Sequence, residues 1–278
     1  MKRRVELGII AVIFASGWLF LFMSFVQSLR YLLWTPLDTG FNFLGTGVLS
    51  VLTELGSEYF ILAAASLVYL LYDRQLGKKL FLLFLVSGWF NILAKGVFTL
   101  ARPPDPKVRF SGEYTFPSGH TQLTASFWSY LALHFNRWPW FFAFLACALF
   151  IGFTRMALMA HFFADVLGGL FLGTFIALAF FIFQRGVSTN RVLEQSNVRA
   201  FMVMVLPFLA IALLSVVLET VPKQAYELSG LAIGFGIGDT LLRGKKLNRP
   251  KNWLDRTGIL VILVVILFPC LLYTSDAA

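Results

Sequence analysis

Apolar residues in this chain come in long unbroken stretches, separated by short polar connections. The stretches lie near residues 7–27, 54–72, 78–98, 119–135, 138–156, 161–184, 200–218, 226–242 and 257–273. A helix needs about 20 apolar residues to cross a bilayer, so each stretch predicts a transmembrane helix. The first follows Lys2-Arg3-Arg4, as a signal peptide would. Its apolar core is too long for an h-region and no small-x-small cleavage site follows, so it is read as an anchor. Residues 35–50 contain Pro36, Asp38, Gly40, Gly45 and Gly47 and read as an interfacial or re-entrant piece. In the eighth stretch Gly230, Gly234 and Gly238 lie four apart, the spacing that lets helix backbones approach closely in lipid.

Composition supports the same picture. Of 278 residues, 58% are hydrophobic and only 13% charged, and the mean hydropathy is +0.78. Soluble domains carry about 25% charged residues. Half that charge cannot cover a soluble surface, which excludes a cytosolic enzyme, a disordered chain and a nucleic-acid-binding domain. The net charge of +9 then reads as topology, because basic residues collect in cytoplasmic loops. With the N-terminus in the cytoplasm, sixteen Lys and Arg fall on that side. They are Lys2, Arg3, Arg4, Arg74, Lys78, Lys79, Arg137, Arg185, Arg191, Arg199 and six between 243 and 256. Seven fall outside: Arg30, Lys95, Arg102, Lys107, Arg109, Arg155 and Lys223. Cys147 and Cys270 sit in apolar runs, without the neighbours of a disulfide framework or a metal site.

Four of the seven outside charges crowd between 95 and 109, and this is where chemistry is expected. Three clusters occur in order: Lys95 with Arg102-Pro103; Pro117-Ser118-Gly119-His120; and Arg155 with His161 and Asp165. Lys95 ends the third crossing on the outer side and His120 begins the fourth. Two crossings and a tight turn at 136–139 return Arg155 and His161 to the same face. Lys95, Arg102 and Arg155 then supply three positive charges with no nearby acids. Arg forks match phosphate oxygens and Lys adds a point charge. Ser118 and Gly119 open a helix, whose N-terminus favours anions. His161 and Asp165, four apart, are expected to share a helix face. A carboxylate on one imidazole nitrogen fixes the tautomer and frees the other to attack. His161 is therefore the candidate nucleophile, and His120 the group that protonates the leaving oxygen. His134, at the far end of its helix, reads as structural. Asp38, Glu54, Glu58 and Asp239 read as solvated or interfacial.

The text "KGVFTLARP", "PSGH" and "TRMALMAHFFAD" resembles the phosphatidic acid phosphatase type 2 superfamily of membrane lipid phosphatases, over roughly residues 54–184. The resemblance implies a six-helix core and a metal-independent phosphatase without cofactor. It implies that Lys95, Arg102 and Arg155 bind phosphate with help from Ser118 and Gly119. It also implies that His120 is the acid, that His161 forms a phosphohistidine and that Asp165 orients it. Thr154 stands where the family usually has Ser, which keeps the hydroxyl.

The expected fold is all-α: a polytopic transmembrane bundle with a six-helix phosphatase core in 1–184, a cytoplasmic loop at 185–199 and about three further helices in 200–278. The expected function is removal of the terminal phosphate from a lipid monophosphate or diphosphate. Phosphatidate, phosphatidylglycerophosphate, polyprenyl diphosphate and sphingoid-base phosphate all fit. A lipid phosphotransferase and a non-enzymatic lipid transporter or binding protein are the alternatives. Transporter sites lie near the midplane, whereas these ionisable residues lie at helix ends. The expected partners are the phosphorylated lipid and the membrane. The expected location is a bacterial inner (plasma) membrane, with the site extracytoplasmic.

Overall fold

Short polar residues at the ends of the apolar stretches set where each helix starts and stops. The computed structural model describes residues 45–103, 114–186 and 223–242, together with Ala15. Gly45, at φ +68°, turns the chain into α1 (Thr46–Thr53), a backbone conformation that costs glycine little. A 3-10 turn at Glu54–Gly56 follows. The Ser57 hydroxyl then accepts from Phe60 N at 3.3 Å and caps α2 (Glu58–Leu67). After a π turn at Val68–Tyr72, the Asp73 carboxylate accepts from Leu76 N at 2.6 Å and starts α3 (Arg74–Phe98). Helices α4 (Gly119–Phe135), α5 (Trp138–Ala157), α6 (Phe163–Gly186) and α7 (Lys223–Leu242) follow. Asn136, at φ +49°, closes α4, and Pro139 lies in the first turn of α5, so the tight turn expected at 136–139 is present.

The described residues form an all-helical bundle with no named strand. Helices α3, α5 and residues 163–184 of α6 are long and apolar enough to cross a membrane. The segments Thr46–Gly56 and Glu58–Tyr72 pass the same test as a pair bent by 48°. This revises the expected boundaries. Residues 46–50 belong to a helix, and the stretch expected at 54–72 continues from it through the 48° bend, as a broken span or a re-entrant loop would. At the break, a Cβ on Gly56 would come within 2.5 Å of the Ile151 side chain, so α5 packs directly against the bend. The first, seventh and ninth expected crossings and the 185–199 loop lie outside the described residues.

Helix α4 is the hub, packed chiefly against α6 and α5, with α3 on a third side. The close approach comes from α6. A Cβ on Gly169 would fall 2.6 Å from Ser118 O, and one on Gly173 would fall 2.2 Å from Gln122 O. Small residues four apart thus bring two helix backbones into contact. A stripe of the same spacing was expected in α7. There Gly230, Gly234 and Gly238 have no described atom within 4 Å of an added Cβ, and the crossings expected on either side of α7 lie outside the described residues. Gly234 and Gly238 line a cavity of about 310 Å³ with Tyr69, Phe81, Phe235 and Asp239.

The core between α2, α3, α4, α6 and α7 is built from Ile61, Leu80, Leu83, Phe127, Tyr130, Ile176 and Leu228. Outward, Leu93, Val97, Phe142 and Phe183 are largely exposed, as suits lipid contact. Asp239 was expected at an interface but is buried. Its carboxylate lies 2.8 Å from Lys78 Nζ and 3.4 Å from Arg74 Nη2, and accepts from Tyr69 OH at 3.2 Å. A carboxylate inside an apolar bundle requires such partners.

Candidate active site

At the end of the bundle away from Lys78, three segments from two connections meet. Residues 100–103 and 114–118 run antiparallel for one bridge, Ala101 to Tyr114, and Thr115 N donates to Leu100 O at 2.8 Å. The same strand-like piece continues through Pro117 into Ser118, whose N–H donates to Asp165 O at 3.0 Å. The α5–α6 connection supplies the third side. Ala160 N donates to Arg155 O at 2.9 Å, and Ala160 O accepts from Arg102 Nη1 at 3.2 Å. Ala160 thereby ties the Arg102 guanidinium to the backbone at Arg155.

The structure places each expected residue here. Lys95 lies in the last turn of α3, within electrostatic reach of Arg102, Arg155, Glu58 and Asp165. Arg155 is buried in the last turn of α5. Its Nη1 donates to Thr53 Oγ1 at 3.4 Å, while its Nε is buried with no hydrogen-bond partner among the described residues. Ser118 is the N-cap residue of α4; Gly119 and His120 form its first turn. Asn91, one turn before Lys95 on α3, donates from Nδ2 to Pro117 O at 3.2 Å and to Gln122 Oε1 at 2.8 Å. That bond ties the start of α4 to the helix that carries Lys95. The expected absence of nearby acids does not hold. Glu58 lies in the field of Lys95, and Glu54 in that of Arg155.

The pair of His161 and Asp165 also differs from expectation. His161 precedes α6 and does not share its face; Asp165 lies in the first turn. The distance from Nδ1 to Oδ2 is 3.7 Å, too long for a hydrogen bond. Asp165 Oδ2 takes its bonds elsewhere, from Phe162 N at 2.8 Å and from Thr115 Oγ1 at 2.6 Å. The first is the reach-back of an N3 acid to its helix cap. Thr115 Oγ1 also lies 3.0 Å from His161 Nδ1. Thr115 therefore stands between the two groups expected to touch. Its sequence neighbourhood gave no sign of this, because its partners are 46 and 50 residues away.

Electrostatics at this end favour anions. Burial pulls the Arg102 guanidinium down to about 10, against the attraction of Asp165, so it stays charged at pH 7. Burial, then Arg155, Arg102, Lys95 and His120, hold His161 well below the ordinary imidazole range. His161 is thus a neutral base beside a concentration of positive charge. No group of three or more His, Cys, Asp or Glu side chains is placed to hold a metal ion among the described residues. His134 lies at the other end of α4, stacked on Tyr130.

Three cations, two histidines and a helix N-terminus on this spacing match a known family. The sequence profile of the PAP2 superfamily fits residues 76–188. The PAP2 segment accounts for Lys95 through Asp165 and for α3 to α6. Among curated proteins, a lipid A 1-phosphatase from Rhizobium johnstonii is 34% identical over 125 residues, covering 41% of this chain and 50% of the relative. One from Rhizobium etli is 35% identical over 125 residues, covering 41% and 53%. The chain thus spans about half the length of the curated relatives it matches. The crystal structure of a transmembrane PAP2 type phosphatidylglycerolphosphate phosphatase from Bacillus subtilis aligns with a TM-score of 0.43 and 21% identity, over 67% of this chain and 98% of that one. The protein is an integral membrane protein.

Proposed function

We propose that this protein is a metal-independent phosphatase that removes the terminal phosphate of a membrane lipid through a phosphohistidine. The observation that carries the reading is the buried Arg155, its Nε without a described partner, within electrostatic reach of a neutral His161. Lys95, Arg102, Arg155 and the α4 N-terminus at Ser118–Gly119 hold the phosphoryl oxygens, where charge develops in the transition state. His161 Nε2 attacks phosphorus, the bond from phosphorus to the lipid oxygen breaks, and His120 gives that oxygen a proton. Water then attacks the phosphohistidine, His120 takes the water's proton, and the bond from phosphorus to nitrogen breaks to release phosphate. Asp165 acts on His161 through the Thr115 hydroxyl, which lies between them.

The substrate is a lipid carrying an exposed phosphate, and the names of the curated relatives put a glycolipid 1-phosphate beside phosphatidate, phosphatidylglycerophosphate and polyprenyl diphosphate in the first assay panel. The segment expected at 1–184 is the catalytic core, 185–199 a cytoplasmic loop and 200–278 additional helices. The site faces away from the cytoplasm of a bacterial inner membrane, an orientation that rests on the uneven distribution of Lys and Arg. Phosphate release by the purified protein from that panel, in EDTA, tests the activity. His161→Asn is expected to release none; near-parental release by that variant would remove the nucleophile assignment. Cysteines placed in 105–113 should react with an impermeant thiol reagent in intact cells, and those in 187–195 should not.

A further inference from the structure

Thr115 is fully buried and brings one hydroxyl to two acceptor-capable groups. A hydroxyl has a single proton to donate and two lone pairs to accept with. Its Oγ1 lies 2.6 Å from Asp165 Oδ2, which also receives Phe162 N–H at 2.8 Å. Two donors converge on one carboxylate oxygen, so the Thr115 proton is committed to Asp165. What remains toward His161 Nδ1, at 3.0 Å, is a lone pair. Only a protonated Nδ1 can meet it.

We infer that Thr115 is the positioning residue that sets the tautomer of His161, holding the proton on Nδ1 so that the Nε2 lone pair is the one presented to phosphorus. The inference rests on His161 as nucleophile and deepens that reading. The neutral ring has one proton to place between two nitrogens, and the choice decides whether the attacking nitrogen is a base or a donor. Attack from Nε2 builds positive charge on the ring. The chain from Nδ1–H to Oγ1–H to Oδ2 passes that charge to Asp165 through a hydroxyl, in surroundings where hydrogen bonds polarise one another.

Thr115 is also anchored from behind. Its N–H bonds Leu100 O at 2.8 Å and its neighbour Tyr114 bridges Ala101. The hydroxyl that orients the nucleophile is thus fastened to the short piece of chain that carries Arg102. A valine at 115 keeps the shape and removes the hydroxyl; a serine keeps the hydroxyl on a smaller side chain.

The test is ¹⁵N NMR of the full chain in lipid with labelled histidine. The chain has three histidines, so single substitutions of His120 and His134 assign the spectrum. In the parent, His161 is expected to show a protonated Nδ1 and an unprotonated Nε2. In Thr115→Val the ring should become a tautomer mixture, with kcat down on the order of 100-fold and KM moved less than about threefold. Thr115→Ser should restore the parental tautomer and most of kcat. A parent His161 protonated at Nε2 would overturn the inference without any variant having to fold. So would a Thr115→Val protein with parental kcat and tautomer. Activity in His161→Asn would instead bring down the nucleophile reading, an outcome distinct from both.

Discussion

Lys78 and Asp239 form a buried ion pair, 2.8 Å apart, that fastens α7 to the end of α3 opposite Lys95. Arg74 lies 3.4 Å from the same carboxylate and also donates from Nε to Tyr69 OH at 2.8 Å. Two cations and a phenol surround one acid, and a carboxylate inside an apolar bundle requires such partners.

Removing that acid should therefore cost stability and spare chemistry. Asp239→Ala leaves Lys78 buried without its 2.8 Å partner. Breaking a buried pair from one side costs about 3–5 kcal/mol. Thermal unfolding in detergent should show a marked loss. The kcat of the folded fraction should stay within about twofold, because the phosphate site lies at the other end of α3. A large drop in kcat at parental stability would show that the two ends communicate.

The acid limb of the pH profile should lie below pH 6.5. As the proposed nucleophile His161 attacks only when neutral, and burial with Arg155, Arg102, Lys95 and His120 holds its protonation below the ordinary range. A depressed folded-state value keeps the neutral form present to lower pH, so kcat/KM should fall only beneath 6.5. Arg102→Gln removes one of those cations and should move the limb upward. Measuring both proteins on one substrate cancels the substrate's own ionisation. An unmoved limb would assign it to another group.

Vanadate should inhibit competitively, and Arg155→Lys should weaken it. Lysine keeps the charge but loses the planar fork, including the buried Nε that has no described partner. A lost charge-assisted hydrogen bond costs roughly 1.5–3 kcal/mol, so the inhibition constant should rise about tenfold or more. Equal inhibition of both proteins would remove Arg155 from the phosphate site.

Two glycine substitutions should separate sharply. Gly173→Ala drives a methyl to 2.2 Å from Gln122 O and must push α4 away from α6. Overpacking of this kind costs typically 1–3 kcal/mol, and here it also displaces the turn that carries His120. Gly234→Ala meets no described atom within 4 Å and should change stability by less than about 0.5 kcal/mol. Thermal melts and phosphate release on the two variants check the contrast.

That Lys95, His120, Arg155 and His161 gather at one end was legible because helix geometry is regular. The rise per residue is fixed, so the number of residues from His120 to Arg155 places both on one membrane face. The charges were legible because Lys95, Arg102 and Arg155 break the expected distribution of basic residues. Partnerships were not legible. Asp165 reaches Thr115 across 50 residues, and Asp239 reaches Lys78 across 161. Nothing in spacing along one segment reports such a meeting. The four-residue glycine spacing recurs in a second helix, where it was not singled out. Gly169 and Gly173 carry it in α6, where the facing backbone decides whether a gap between side chains is used.

Helix α3 runs unbroken for 25 residues, with the Lys78 pair at one end and Lys95 at the other. At 1.5 Å per residue the two are roughly 25 Å apart, which makes the helix a lever. A tilt of the whole helix by about 2° sweeps Lys95 sideways by about 1 Å relative to the Lys78 end. Helices tilt to match the hydrocarbon thickness around them. The surrounding bilayer is in this sense part of the machine: vesicles of graded acyl length should tune turnover mechanically, with no molecule entering the site.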